Sequence, residues 1–266
     1  MTLRFTILGC GSSGGVPRAG QGWGACDPQE PKNRRLRCSL LVERIGPHGV
    51  TSILIDTGPD LRQQLLSADV KRLDAILLTH AHADHIHGID DVRPLVIEAR
   101  KRIDIHMDEA TAAHVLSRFG YIFETPPGSQ YPALLNRKTL RHGVATRIDG
   151  PGGPVDCVPF ELDHGDMQAL GFRFGDCAYS PDVVGIPDQS RGWLEGLDLW
   201  IVDALRYTPH PSHFHLAQTL EWIARLKPAR AVLTNLHTDL DYQRLAAELP
   251  GGTMPAYDGM RIDESL

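Results

Sequence analysis

The chain has 266 residues, room for one large core or two small ones. Hydrophobic residues make up 42%, charged residues 23%, and the formal charge is −6, which excludes a basic nucleic-acid-coating surface but not a small phosphorylated ligand met by a few local cations. Five scattered cysteines (Cys10, Cys26, Cys38, Cys157, Cys177) include no Cys-x-x-Cys pair, so reduced thiols and a cytoplasmic location are expected.

The chain opens into a short apolar strand at residues 5–8, with no charged-then-apolar leader before it. A glycine-rich turn follows at residues 9–17. Residues 38–42 and 52–55 read as strands, the second ending at Asp56-Thr57-Gly58-Pro59-Asp60, with a helix after it to Leu66. Residues 75–78 are a short apolar run fit for a buried strand. Residues 95–100 and 110–119 look helical, and the proline- and glycine-containing stretch 120–137 reads as a lid loop that sets specificity. Strand signals return at 155–162, 170–174 and 199–202, helical spacing at 216–226, and a last buried strand at 231–234. No apolar run approaches the ~20 residues that span a bilayer. Without a linker or composition break, this order predicts a single α/β domain over residues 1–266, with sheets inside and helices outside. The two strand-rich halves suggest a distant duplication.

The buried run 75–78 delivers the chain into Thr79-His80-Ala81-His82-Ala83-Asp84-His85. At a strand end, His80 and His82 share a face, and Asp84 and His85 follow at once. Imidazole and carboxylate together suit zinc, manganese or iron, and such a loop can serve two ions ~3.5–4 Å apart, a standard device for hydrolysis. A dinuclear site needs ligands from elsewhere, and His164, Asp182 and His237 each stand where an apolar strand gives way to a loop.

This set of residues, His80-x-His82-x-Asp84-His85 with His164, Asp182 and a late histidine, resembles the metallo-β-lactamase superfamily. The turn at residues 8–17, the segment Ile55-Asp56-Thr57-Gly58 and the terminal Tyr257-Asp258-Gly259-Met260 resemble its phosphodiesterase branch, which includes the accessory enzyme of the carbon–phosphorus lyase pathway that hydrolyses phosphoribosyl 1,2-cyclic phosphate. The resemblance implies an αββα sandwich and two divalent ions, zinc or manganese. His80, His82 and His164 would hold one, Asp84, His85 and His237 the other, with Asp182 bridging. Two departures stand out. The family's last ligand follows the threonine of Leu-Thr-His, and here Asn235 takes that place, with His237 two residues on. A structural zinc held by clustered cysteines in the branch has only Cys26 to serve it here, so no such site is expected.

Asp84 and His213 are the candidate catalytic residues, His213 as the acid that protonates a leaving alkoxide. Ser12, Ser13, Arg34, Arg35, Arg206 and His213 are the substrate-binding candidates. Asp56 resembles a residue that braces the metal loop by hydrogen bonding. The leading expectation is a phosphodiesterase on small cyclic-phosphate or nucleotide-like substrates. A transfer-RNA 3′-processing nuclease, a thioester or lactone hydrolase and a non-catalytic nucleotide-binding protein are the alternatives. No membrane partner and no stable nucleic-acid complex are expected. Related enzymes are often homodimers, which leaves monomer and homodimer open.

Overall fold

The computed structural model describes residues 1–125 and 127–265. Its layering follows from strands that are apolar on both faces. In β1 (Thr2–Gly9), Leu3, Phe5 and Ile7 point one way and Leu8 the other. Leu40 and Val42 oppose Leu41 in β2 (Ser39–Gly46), Ile53 and Ile55 oppose Leu54 in β3 (Gly49–Ile55), and Ala75 and Leu77 oppose Ile76 in β4 (Ala75–Leu77). With a side-chain period of two, such strands need a buried layer on each side.

On the outer side of this sheet lie α1 (Leu61–Ser67), α2 (Ala83–Ile86), α3 (Arg93–Ala99) and α4 (Glu109–Phe119), covering Leu41, Leu54 and Ile76. The sheet is completed by β5 (Ile103–Met107) and β6 (Leu135–Thr139). The second sheet comprises β7 (Thr146–Ile148), β8 (Val155–His164), β9 (Met167–Phe174), β10 (Cys177–Ser180), β11 (Leu199–Asp203), β12 (Arg230–Thr234) and β13 (Thr253–Pro255). Its Phe172, Phe174, Leu199, Ile201 and Val232 meet the first sheet's inner face, while Trp200, Val202 and Leu233 pack outward. That outer face is covered with help from α6 (Leu216–Leu226) and α7 (Tyr242–Glu248), α5 (Asp188–Arg191) lying earlier in the chain. The last strand, β14 (Arg261–Ser265), crosses back to pair with β1.

The sheets are ordered β14-β1-β2-β3-β4-β5-β6 and β7-β8-β9-β10-β11-β12-β13. In both, the first three joins are antiparallel and the last three parallel. The halves therefore repeat one topology, and β3 and β10 hold the same central place, antiparallel to one neighbour and parallel to the other.

The stretch 120–137 departs from the expected lid. Pro126 lies outside the described residues, as does Leu266 at the end of the chain. Residues 120–122 form a single tight turn, and Leu135–Thr139 is an edge strand paired with β5. Its Arg137, Lys138 and Thr139 are exposed. Charge on an edge strand blocks further pairing, and it also hides the strand from any search for apolar alternation. No helix among the described residues is long and apolar enough to cross a membrane.

Candidate metal centre and cleft

The metal loop is fixed before any ion is considered. Directly after β3, Asp56 is fully buried in a left-handed conformation, φ 65°. Its carboxylate accepts from Thr79 N and Thr79 Oγ1, both at 2.8 Å, and lies 2.7 Å from His85 Nδ1. Burial pushes the Asp56 carboxyl above its ordinary value, against the pull of His85 and these hydrogen bonds. Thr57 N donates to His85 O at 2.7 Å, and a Cβ on Gly58 would lie 2.1 Å from Asp84 O, so this contact requires glycine. From the second sheet, Leu170 N donates to Thr79 O at 2.9 Å, and from α4, Arg118 donates to Ala81 O at 2.9 Å.

On this frame, His80 Nε2 lies 2.9 Å from His82 Nδ1, and His164 Nε2 lies 3.1 Å from the same atom. His164, the last residue of β8, donates through Nδ1 to Ser212 O at 2.7 Å. That bond leaves its Nε2 lone pair facing the cluster. Burial holds His80 well below, and His164 below, the usual histidine range, so both are neutral and fit to bind a cation. On the other side, His85 points Nε2 at Asp182 Oδ1 (3.3 Å) and Asp84 Oδ2 (3.5 Å). Asp182 Oδ2 lies 3.9 Å from His80 Nε2, 3.7 Å from His164 Nε2 and 3.9 Å from His213 Nε2.

These atoms fit divalent ions on physical grounds. With Nδ1–H committed to Asp56, a neutral His85 would aim a lone pair at two carboxylates, a repulsive arrangement unless positive charge lies between them. Burial disfavours charge on His85, but Asp182, Asp56 and Asp84 together push it well above the usual value, so the spot demands a cation. Asp182 Oδ1 is buried without a hydrogen-bond partner among the described residues. His80, His82 and His164 form one group of ligand atoms within 4.8 Å of one another, and His80, His85 and Asp182 form a second.

His213 completes a third such group with His164 and Asp182. Its Nδ1 lies 2.8 Å from Oδ2 of Asp203, the buried last residue of β11, which also accepts from Val183 N at 3.1 Å. Burial raises the Asp203 carboxyl to about 7. Burial works against charge on His213, yet Asp203 outweighs it and raises the imidazole to about 9, so the proton shared by this pair belongs on His213.

His237 and Asn235 are placed elsewhere. Asn235 is buried with φ 61°, donates to Pro181 O at 3.0 Å and sits 3.2 Å from His213 Nδ1, behind the imidazole rather than among the ligand atoms. His237 directs Nε2 to Arg18 Nη1 at 2.5 Å and Nδ1 to Asp239 Oδ1 at 3.2 Å. With both ring nitrogens engaged it belongs to none of the three compact ligand groups among the described residues, which departs from the metal-ligand expectation for His237.

A cleft of about 210 Å³ opens onto the cluster, lined by Ser12, Ser13, Asp84, Arg206 and His213 among others. Ser12 Oγ is buried without a partner among the described residues. No described residue of the stretch 120–137 lines the cleft. Neither do Arg34 and Arg35, two of the expected phosphate binders. Arg35 is 1% exposed and is consumed by Leu240 O (2.7 Å), His237 O (3.2 Å) and Asn33 Oδ1 (3.2 Å). Arg34 lies over the Trp23 ring, 5.1 Å from its centroid. The basic run containing them is structural because alternate residues turn inward to tie the early loop to residues 237–240. Sequence reasoning missed Asp203, which the strand-end rule that found Asp182 would have reached. It also missed Arg18, for which the turn Pro17-Arg18-Ala19-Gly20 offers no signal. Cys26 is buried, with Sγ 3.4 Å from Thr238 O.

Residues 51–235 match the beta-lactamase superfamily domain, and the chain belongs to that superfamily; the two-sheet sandwich is the metallo-β-lactamase fold. Within it, the chain is similar to a crystal structure of a new diphosphatase from the PhnP family, with 35% identity and a TM-score of 0.89 over 99% of this chain and 98% of that one. An octanoyltransferase of Porphyromonas gingivalis is 32% identical over 98% of this chain and 52% of its own length. A ribonuclease Z of Bradyrhizobium diazoefficiens is 33% identical over 59% of this chain and 52% of its own. The chain thus spans about half the length of these curated relatives.

Proposed function

We propose that the chain is a metal-dependent phosphodiesterase using two divalent ions, zinc or manganese, on small cyclic-phosphate or nucleotide-like substrates. The observation that carries this reading is His213, held by Asp203 beside Asp182 and His164 at the wall of the cleft. A carbonyl substrate that expels a stabilised leaving group has little need of such an acid. A phosphodiester that expels an alkoxide needs one. His80, His82 and His164 would hold one ion, and Asp84 and His85 the other, with Asp182 between them. Bound there, the ions would supply positive charge that acidifies water and neutralises phosphoryl oxygens.

The chain's own residues do the rest. Asp203 fixes the His213 ring so that Nε2 faces the cleft and carries a proton at neutral pH, ready for the leaving oxygen. Ser12 Oγ and the Ser13 segment offer donors to the substrate. The cleft volume, below the ~300–1,000 Å³ usual for ligand pockets, suits a substrate that places only its phosphate and a neighbouring group inside. The likeness to a diphosphatase supports phosphoryl rather than acyl chemistry.

Turnover of bis-p-nitrophenyl phosphate, 2′,3′-cyclic nucleotides and phosphoribosyl cyclic phosphate by the manganese- and zinc-loaded protein is the test. No turnover of any of them sinks the reading. The ribonuclease Z likeness supports a second reading, a transfer-RNA 3′-end nuclease. That reading requires cleavage of precursor transfer RNA with affinity falling steeply as salt rises, whereas small diesters should show little salt dependence.

A further inference from the structure

Arg18 is held in place along its whole length. Its backbone is pinned by a reciprocal pair with Gly22, Arg18 N to Gly22 O and Gly22 N to Arg18 O, both 2.8 Å. Its side chain runs across Gly14, where a Cβ would lie 2.2 Å from Arg18 Nε, so the path exists only because residue 14 has no side chain. The guanidinium ends on the cleft wall together with Ser12, Ser13, His82 and Asp84. There His237 Nε2 receives Nη1 at 2.5 Å, His237 Nδ1 faces Asp239 Oδ1 at 3.2 Å, and Asp239 Oδ2 accepts from Tyr207 N at 3.2 Å. Since Asp239 is acceptor-only, Nδ1 carries the imidazole hydrogen and Nε2 accepts from the arginine.

The other cations nearby have partners of their own, although Arg206 also lines the cleft. Arg35 is buried on carbonyls, Arg37 pairs with Asp60 at 3.0 Å, and Arg206 donates through Nε and Nη2 to Thr208 O and Pro209 O. Arg18 has no carboxylate within 4.0 Å among the described residues, and its one described side-chain hydrogen bond goes to a neutral acceptor. A full positive charge aimed into a phosphate-sized cleft, with most of its fork of donors free, suits a phosphoryl oxygen.

We infer that Arg18 binds the substrate's phosphoryl oxygens, and that His237 and Asp239 aim Arg18 rather than hold a metal ion. This assignment rests on the phosphodiesterase reading for its physiological substrate. It also gives a reason for a histidine at 237, two residues beyond the position where the family places its ligand. His237 and Asp239 are positioning residues, acting only through Arg18.

The experiment compares wild type, Arg18→Ala, Arg18→Lys, His237→Ala, Asp239→Asn and the Arg18→Ala/Asp239→Asn double variant, all manganese-loaded. Three quantities are read: ion content by mass spectrometry, calorimetric affinity for inorganic phosphate, and kcat and KM for bis-p-nitrophenyl phosphate. Arg18→Ala should weaken phosphate and raise KM on the order of tenfold, with Arg18→Lys recovering part of the loss. His237→Ala and Asp239→Asn should raise KM severalfold with ion content unchanged, and Asp239→Asn should add nothing once Arg18 is gone. Loss of an ion from His237→Ala overturns the assignment, as does phosphate binding by Arg18→Ala equal to that of wild type, or no phosphate binding by wild type. Arg18-dependent phosphate binding without diester turnover would sink the phosphodiesterase reading and leave Arg18 as an anion-binding residue. Diester turnover with phosphate affinity indifferent to Arg18 would do the reverse.

Discussion

The two sheets share one topology, but they feed the site in opposite ways. The first sends in one contiguous loop, His80 to His85, after β4. The second sends single residues from separate strand ends and loops: His164 from β8, Asp182 after β10, Asp203 from β11, and His213 ahead of α6. The central strands make the contrast sharpest. Asp56 follows β3 and is spent on hydrogen bonds inside the loop, while Asp182 follows β10 and keeps one carboxylate oxygen without a hydrogen-bond partner among the described residues. An acid at one topological position thus braces in one half and faces the ion site in the other. What separates them is the company each keeps: Thr79 and His85 surround the first at 2.7–2.8 Å, while the described histidine nitrogens facing the second stand 3.3–3.9 Å away.

The largest effect should come from the second half's acid. Asp182→Ala should cut turnover of small phosphodiesters about a thousandfold or more, with ion content falling in parallel by mass spectrometry. A variant that keeps both the rate and the ions would break the claim that the two halves share one metal centre. Next comes His213→Ala, expected to lower kcat by about 10²–10⁴-fold on 2′,3′-cyclic nucleotides, whose leaving alkoxide needs a proton. The loss should be much smaller on bis-p-nitrophenyl phosphate, whose leaving group does not. Equal losses on both substrates would show that His213 acts as a ligand instead. Asp203→Asn should give a weaker version of the same split, because it removes the partner that keeps the His213 proton in place.

The same contrast explains what could be read from the chain alone. The metal loop was legible because its side chains are neighbours in sequence and follow a buried strand. Asp56 was legible by resemblance, since it sits in the same Asp-Thr-Gly turn. His164 and Asp182 were legible as strand-end residues and by resemblance, not from any local cluster. Their proximity depends on the pairing of β8, β9 and β10, which no local pattern encodes. For His237, an extended backbone predicts that positions 235 and 237 share a face. In the fold, Asn235 adopts φ 61°, and that kink turns His237 toward Arg18. Arg34 and Arg35 show the complementary failure: a run of arginines looks like solvated or phosphate-seeking surface until the fold buries one on backbone carbonyls.

A smaller effect belongs to the brace. Asp56→Asn keeps the shape but cannot accept from Thr79 and pair with His85 as a carboxylate does. Divalent-ion affinity should drop by about 10–100-fold, read by competition with a chromophoric chelator, while turnover at saturating metal recovers most of its wild-type value. Full affinity in this variant would mean that the first half's loop is rigid without its acid, and the parallel between Asp56 and Asp182 would lose its force.

The gentlest test concerns the seam between the halves, where the chain leaves β13 of one sheet to become β14 of the other. Asp258 sits on that crossing and accepts from Cys10 N at 3.0 Å and Leu36 N at 2.7 Å. Burial raises its carboxyl to about 7, even though both backbone donors pull the other way. An acid whose folded value lies above its unfolded value, ~3.9, holds its proton more tightly when folded. Its contribution to stability is therefore complete below about pH 4 and is lost as pH rises through about 7. The slope in that window is at most about 1.4 kcal/mol per pH unit. Urea unfolding at pH 5, 6, 7 and 8 should show stability falling more steeply for wild type than for Asp258→Asn, which has no proton to lose. The variant should be slightly less stable at acid pH, because its NH2 must face a backbone N–H that the hydroxyl oxygen of the neutral carboxyl can still accept weakly. A pH slope identical in both proteins would remove Asp258 from the seam's energetics. It would leave the pairing of β14 with β1, backed by the Arg4–Asp263 ion pair at 2.7 Å, to hold the second half's last strand in the first half's sheet.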